Sequence, residues 1–348
     1  GILNIQDSLS LGWTDGITSI SAGATLEIDG DGLSISEYIS PTGTGHLYTG
    51  AIRNKNGDNT LTGLITLGAT PMIMADSGTS LTIDSKGVAA TTQALTVGGL
   101  GNVILTSTAP MYGTTASLIK NDEGTLTIQS FSNFTGTTVV NRGTLALSDA
   151  GAIPNSAVTV NNGGTYTVDN TAGVALNRMS ETAALTMNGG NFNYIGNGTV
   201  STLESTGALT LASGHSVVTV TPGAGGSTTM TFASLSRTAG ASVLFRGTNL
   251  GATPGSNISN IMFTATPTLT GSAGAANSAT ISVIKGAFGD NSTIGNGTDM
   301  VTYNIGNTNG LRLLNSVGFA GEYSSTLTTN TNVKLAANTA ASTVSINS

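Results

Sequence analysis

The stretch EGTLTIQSFSNFTGTTVVNRGTLALSDAGAIPNSAVTVNNGGTYTVDN, residues 123–170, states one short phrase three times. GTLTIQ starts at Gly124, GTLALS at Gly143 and GTYTVD at Gly164, at intervals of 19 and 21 residues. Apolar and small polar residues alternate within each phrase, the period-two pattern of a strand with one buried face. Leu126 with Ile128, Leu145 with Leu147 and Tyr166 with Val168 are expected to point inwards, and Thr127, Ala146 and Thr167 outwards. A period near twenty fits one coil of a parallel β-solenoid, whose equivalent residues stack about 4.8 Å apart. Asn141, Asn161 and Asn162 stand just before the glycines. Asn and Gly tolerate the positive φ of a sharp corner, and stacked Asn amides can bond along the axis as a ladder. The same Asn-Gly pairs would also serve hairpins of an antiparallel sandwich. The regular period and the lack of charged, half-exposed strands favour the solenoid.

The phrase recurs along the chain as GILNI at Gly1, GATLEI at Gly23, GTSLTI at Gly78 and GALTL at Gly207. Looser copies are ALTV at Ala94, ALTM at Ala184 and ATISV at Ala279. The expected fold is all-β: a right-handed parallel β-helix with irregular loops or a small side lobe in its C-terminal third. Residues 1–233 are expected to form the regular solenoid. Residues 234–323 form less regular coils with the loops GTNLGATPGSN and GDNSTIGNGTDM, and 324–348 form terminal strands and a possible joining segment. A fully coiled chain would make roughly 17 coils and a rod about 80 Å long.

Composition agrees. Only 8% of the 348 residues are charged, yet 38% are hydrophobic, so a core is available without charged strand faces. The net charge is −7 with 11 Lys and Arg and no basic cluster, which speaks against nucleic acid as a partner. There is no cysteine, hence no disulfide, thiolate metal site or Cys nucleophile. No apolar run reaches the ~18 residues of a transmembrane helix. A Thr/Ser/Asn surface with few lysines suits a protein facing the outside of a cell, and Gly1 is then not the translational start.

These residues carry a resemblance. Residues 123–170 resemble the autotransporter-associated β-strand repeat of very long bacterial surface proteins, with Phe134, Thr135, Gly136, Thr138, Val140, Gly143, Thr144 and Leu145 matching its pattern. Residues 206–251 and 50–68 are similar to companion segments of such proteins. The resemblance implies a right-handed β-helical passenger or fibre protein outside the cell, with no enzymatic signature. Such proteins usually end in a membrane β-barrel with a terminal aromatic residue. This chain ends STVSINS, so the barrel's role is not carried over, and the chain reads as a section of a larger polypeptide or as exported another way.

Candidate chemistry is sparse. In EIDGDGLSISE, residues 27–37, the acids Glu27, Asp29, Asp31 and Glu37 could offer oxygens to Ca²⁺, Asp29 and Asp31 foremost. The spacing is not that of an EF-hand, because Tyr38 stands where the bidentate Glu belongs. Solvated acids on a turn are the expected state, and neither a metal nor a cofactor is expected. Asp290 and Asp299 flank NSTIGNGT, but Gly/Asn/Asp loops hold Asp for turn chemistry alone. His46 and His215 lack motif partners, Trp13 is the sole Trp, and no nucleophile-elbow, zincin or P-loop motif occurs. The protein is not expected to be an enzyme.

Neither terminus reads as a cap. GILNIQ at Gly1 lacks the strand that precedes GTLALS, and STVSINS has the pattern to supply it: Ile346 aligns with Val140, Asn347 with Asn141, Gly1 with Gly143, Leu3 with Leu145 and Ile5 with Leu147. The expected function is a structural subunit of an extracellular bacterial fibre, joined head to tail. Gly1, Ile2, Leu3 and Ile5 of one unit would meet Val344, Ile346 and Asn347 of the next, as separate copies or as tandem units of a longer chain. Adhesion is a further expected role, with residues 285–300 as the candidate protruding loop. An alternative is a β-helix that binds or cleaves cell-surface or matrix polysaccharide; another is an autotransporter passenger adhesin.

Overall fold

A computed structural model of the chain describes residues 1–12, 14–304 and 309–335. Among these residues every regular element is a strand, apart from one 3-10 turn at His46–Tyr48. Among the described residues no helix is long and apolar enough to cross a membrane. Consecutive strands lie on different faces, and the chain returns to each face one coil later. Ala94–Gly99 lies on the first face, Asn102–Leu105 on the second and Met111–Tyr112 on the third, before Ser117–Lys120 resumes the first.

The first face is an eleven-stranded sheet from Ile2–Ile5 to Leu235–Arg237, parallel at every step. The second holds thirteen strands, starting at Ser34–Ile35 and parallel as far as Ala287–Asp290. The third is two separate sheets, five strands from Ile17–Ile20 to Met111–Tyr112 and three from Thr202–Thr206 to Ile258–Phe263. Between them the third face carries only the isolated bridge Phe131–Ala152.

The three copies of the opening phrase stack in register on the second face. Leu126 pairs with Leu145 and Leu145 with Tyr166, while Ile128, Leu147 and Val168 form the neighbouring column. All six are buried and Thr127, Ala146 and Thr167 are half-exposed, as alternation requires. The columns change character along the axis. The aliphatic run Leu81, Val103, Leu126, Leu145 becomes Tyr166 and Phe192. Phe232, Phe263, Phe245 and Tyr303 continue as tilted, edge-on or stacked ring contacts, with centroids 5.7–6.3 Å apart. Gly143 is required twice over: its φ is +65°, and a Cβ would stand 2.4 Å from the carbonyl oxygens of Asp122 and Gly124.

The coil count differs from the expectation of seventeen. Eleven first-face strands make a stack about 48 Å long at ~4.8 Å per step. Two causes account for this. The phrase is not tied to one face: its copies at Gly23 and Gly207 lead into the first face, and those at Gly78 and Gly124 into the second. Corners also lengthen the coils, so that Thr125 faces Thr144 19 residues on, but Thr165 faces Asn191 26 residues on.

After Ile258–Phe263, the last strand of the third face, the regular winding stops. Residues 266–285 leave the stack and form the antiparallel pair Leu269–Thr270 and Val283–Ile284, before Ala287–Asp290 returns to the second face. Asp299–Tyr303 and Leu311–Leu313 then add antiparallel strands to that face. The Tyr303 hydroxyl donates to the Phe263 carbonyl and accepts its N–H, both at 2.9 Å. Arg312 and Glu322, both fully buried, form a two-bond ion pair at 2.7 Å, with Phe319 under the guanidinium. Among the described residues, antiparallel strands therefore lie at the far end of the second face, while the C-terminal STVSINS, expected to be uncapped, lies outside the described residues.

Replacing Leu145 by Ala is expected to cost about 3 kcal/mol of stability, the range for a fully buried Leu. Thr127→Ala on the outer row should stay within about 0.5 kcal/mol. Urea unfolding of both variants checks the inward and outward rows, and equal losses would contradict them.

Candidate functional site

Among the described residues, strand Ile2–Ile5 pairs with Thr25–Asp29 along one edge only. Leu3 heads the inward column that continues through Leu26, Ile52, Ile73 and Val97. The later members are buried, but Leu3 is 55% exposed and its neighbour Ile2 49%, while Ile5 is buried. An open row of backbone groups beside an exposed, inward-facing Leu3 is the geometry that accepts a further parallel strand. Val344, Ile346 and Asn347, expected to meet this edge, lie outside the described residues, as does Trp13.

The acids of 27–37 are engaged otherwise than as ligands. Glu27 receives Lys55 and Arg53, each at 3.0 Å, and the Asn4 amide at 2.8 Å. Asp29 receives Lys55 and Asn4 at 3.0 Å, and Arg53 goes on to Asp76 at 2.5 Å. Burial alone would raise the Glu27 carboxyl, but the Asn4 amide and Lys55 ammonium hold it below its ordinary value. The same Asn4 and Lys55 contacts hold Asp29 low. Asp31 accepts the Asp58 N–H at 2.9 Å, and Glu37 is buried against the Thr18 hydroxyl. The cations come from the next coil, so the 27–37 window could not show them. Glu27 registers with Asn4 on one side and with Arg53 on the other.

Asp290 and Asp299 do not form a carboxylate pair. Asp290 organises its loop by accepting the N–H groups of Ser292 and Gly297, and Asp299 pairs with Lys334 at 2.6 Å. His46 sits in the 42–50 loop with its N–H on the Thr25 hydroxyl, and His215 meets the Ser242 hydroxyl at 2.9 Å. Among the described residues these contacts bring no nucleophile, base and oxyanion donor together.

The expected amide ladder exists at the first-face corner. Asn141 donates to Asn121 at 2.8 Å, Asn161 to Asn141 at 2.7 Å and Asn188 to Asn161 at 2.8 Å. Asn162 takes no part in this run. Beside it is a residue that sequence reasoning missed. Lys120 stands in the inward column between Val97 and Val140, where every neighbour is apolar. Its stem fills the column, and its ammonium reaches the carbonyls of Asn121, Asp122 and Arg142. Burial pushes it down to about 8. The signal was its alignment with Val140, visible only once the coils are registered. Arg178, Glu204, Arg312 and Glu322 are further buried charged residues that the repeat reading passed over.

Residues 118–147 match the family model of the passenger-associated-transport-repeat. No curated protein and no solved structure matches the chain. The matched segment runs from the first-face strand Ser117–Lys120 through one complete coil to the second-face strand Gly143–Leu147. Its motif residues serve the winding. Phe134 is fully buried, Gly136 passes where a Cβ would lie 2.2 Å from the Ala116 carbonyl oxygen, and the Thr138 hydroxyl meets Ser156 at 2.8 Å. Val140 and Leu145 are core rungs.

Asn141→Ala should remove the middle of the ladder, leave the Asn161 amide unpartnered, and cost about 1–2 kcal/mol. Melting temperature checks it, and an unchanged value would deny the ladder a stabilising role. Millimolar CaCl₂ should leave the melting temperature unchanged, because Asp29 and Glu27 are already neutralised by Lys55 and Arg53. A clear rise would contradict that pairing.

Proposed function

We propose that the chain is a structural unit of an extracellular bacterial fibre or surface filament. The passenger-associated-transport-repeat and the β-solenoid fit an autotransporter passenger-like surface protein. Both suggest a secreted or surface protein with a structural or passenger role. The observation that carries the fibre reading is the edge Ile2–Ile5, unpaired among the described residues, with Leu3 facing inwards but 55% exposed. A strand added there extends the first face by one rung, and residues 343–347 of a neighbouring unit have the matching alternation. Flush stacking of two open ends is disfavoured, since antiparallel Asp299–Tyr303 and Leu311–Leu313 occupy the second face at the far end. Donation of one strand fits better, and repeated head-to-tail donation gives a filament.

Light scattering and electron microscopy of the full chain test this. Filaments or concentration-dependent oligomers are expected for the wild type. Leu3→Asp and Ile346→Asp should each abolish them while keeping the β-sheet circular dichroism spectrum. Monodisperse single rods at high concentration would overturn self-association, and filaments that survive Leu3→Asp would overturn the role of this edge.

A further inference from the structure

The third face is interrupted in mid-solenoid, and residues 170–184 cross the gap without forming a strand on it. Arg178 is fully buried there. Its guanidinium donates to the carbonyls of Leu147, Asp149 and Asp169, supplying bonds that a strand would otherwise make. Glu204 faces inwards from the middle of Thr202–Thr206, the first strand beyond the gap, and its neighbour one coil on is Met230. Glu204 Oε1 accepts the Met179 N–H at 3.1 Å. A side-chain carboxyl thus does here what a strand carbonyl does in the other coils.

This neighbourhood contains buried polar atoms without a hydrogen-bond partner: Glu204 Oε2, Arg178 Nε, the Tyr166 hydroxyl and Asn170 Oδ1. The groups whose charge reaches Glu204 are Arg178 and Glu181 from the 170–184 segment, Tyr166 from Gly164–Asp169 and Tyr194 from Asn191–Ile195. Asp169 acts on Arg178 from the same side, and Met230 brings no charge. The guanidinium is turned to its three carbonyls instead of to Glu204, so an ionised Glu204 has no counter-charge in contact.

We infer that Glu204 makes this joint proton-linked: the protonated side chain seats the 170–184 segment, and its ionisation loosens it. The neutral carboxyl keeps an acceptor for Met179 and gains an O–H donor among atoms that lack partners. The carboxylate is a desolvated charge, relieved only when the segment lifts and water enters. Burial pushes the group up to about 7 from 4.5, against the pull of the Met179 and Arg178 N–H groups. The seated form therefore holds its proton more tightly than the open form. Seating weakens as pH rises from about 4.5 towards about 7 and levels off above. Between pH 5 and pH 8 the opening equilibrium should increase on the order of fiftyfold.

Hydrogen exchange of the full chain at several pH values tests this. After correction for intrinsic exchange rates, protection of the Arg178 and Met179 amides should fall by that factor in the wild type. In Glu204→Gln, which keeps the acceptor oxygen without the charge, it should stay level. Equal pH profiles in the two proteins would overturn the inference. Should Glu204→Gln fail to fold, the Glu204 carboxyl can be titrated in ¹³C-glutamate-labelled wild type. A midpoint well above 4.5 supports the proposal, and one at or below 4.5 overturns it.

Discussion

In-register stacking of parallel strands is the constraint on which the rest of this protein depends. Each coil has its backbone groups satisfied by the coils before and after it, and its inward side chains rest on their equivalents one step along the axis. A residue therefore answers chiefly to the positions about one coil away in sequence. This explains why chemically dull residues suffice. Leu, Ile and Val make columns, Thr makes an outer row, Gly turns the corner where a Cβ would strike the neighbouring coil, and Asn amides bond from coil to coil beside it.

The same constraint governs the few charged residues. On the outer face, Glu27, Arg53, Lys55 and Asp76 come from separate coils and compensate one another. Inside, charge is tolerated where it replaces backbone bonding that the winding fails to provide. Lys120 serves corner carbonyls, Arg178 serves the interrupted third face, and Arg312 with Glu322 locks the segment that follows the last parallel strand. These are the expensive positions, since a buried charge that loses its partner is strongly destabilising. Arg178 and the Arg312–Glu322 pair fall where regular winding is interrupted or ends, whereas Lys120 serves a corner within regular winding.

Much of the fold is legible from residues 123–170 because there the period is nearly constant and the alternation clean. The inward six, from Leu126 to Val168, the ladder Asns 141 and 161, and the corner Gly143 follow from spacing and side-chain chemistry alone. The coil number is not legible in the same way. One phrase serves two faces, and loops such as 170–184 lengthen a coil without altering its strands. The ligand-like look of Asp29 and Asp31 was a local impression, because their partners lie about one coil away.

By itself, then, the sequence determined the class of structure: parallel strands, aliphatic inside, polar outside, wound with glycine and asparagine corners. It did so because alternation and corner chemistry are local properties. Only the tertiary structure decided the count and length of coils, the break in the third face and the antiparallel closing of the second. It also decided which charged residues go inside. Each of these depends on register between segments twenty or more residues apart, and register is set by the sum of contacts along the stack instead of by any one phrase.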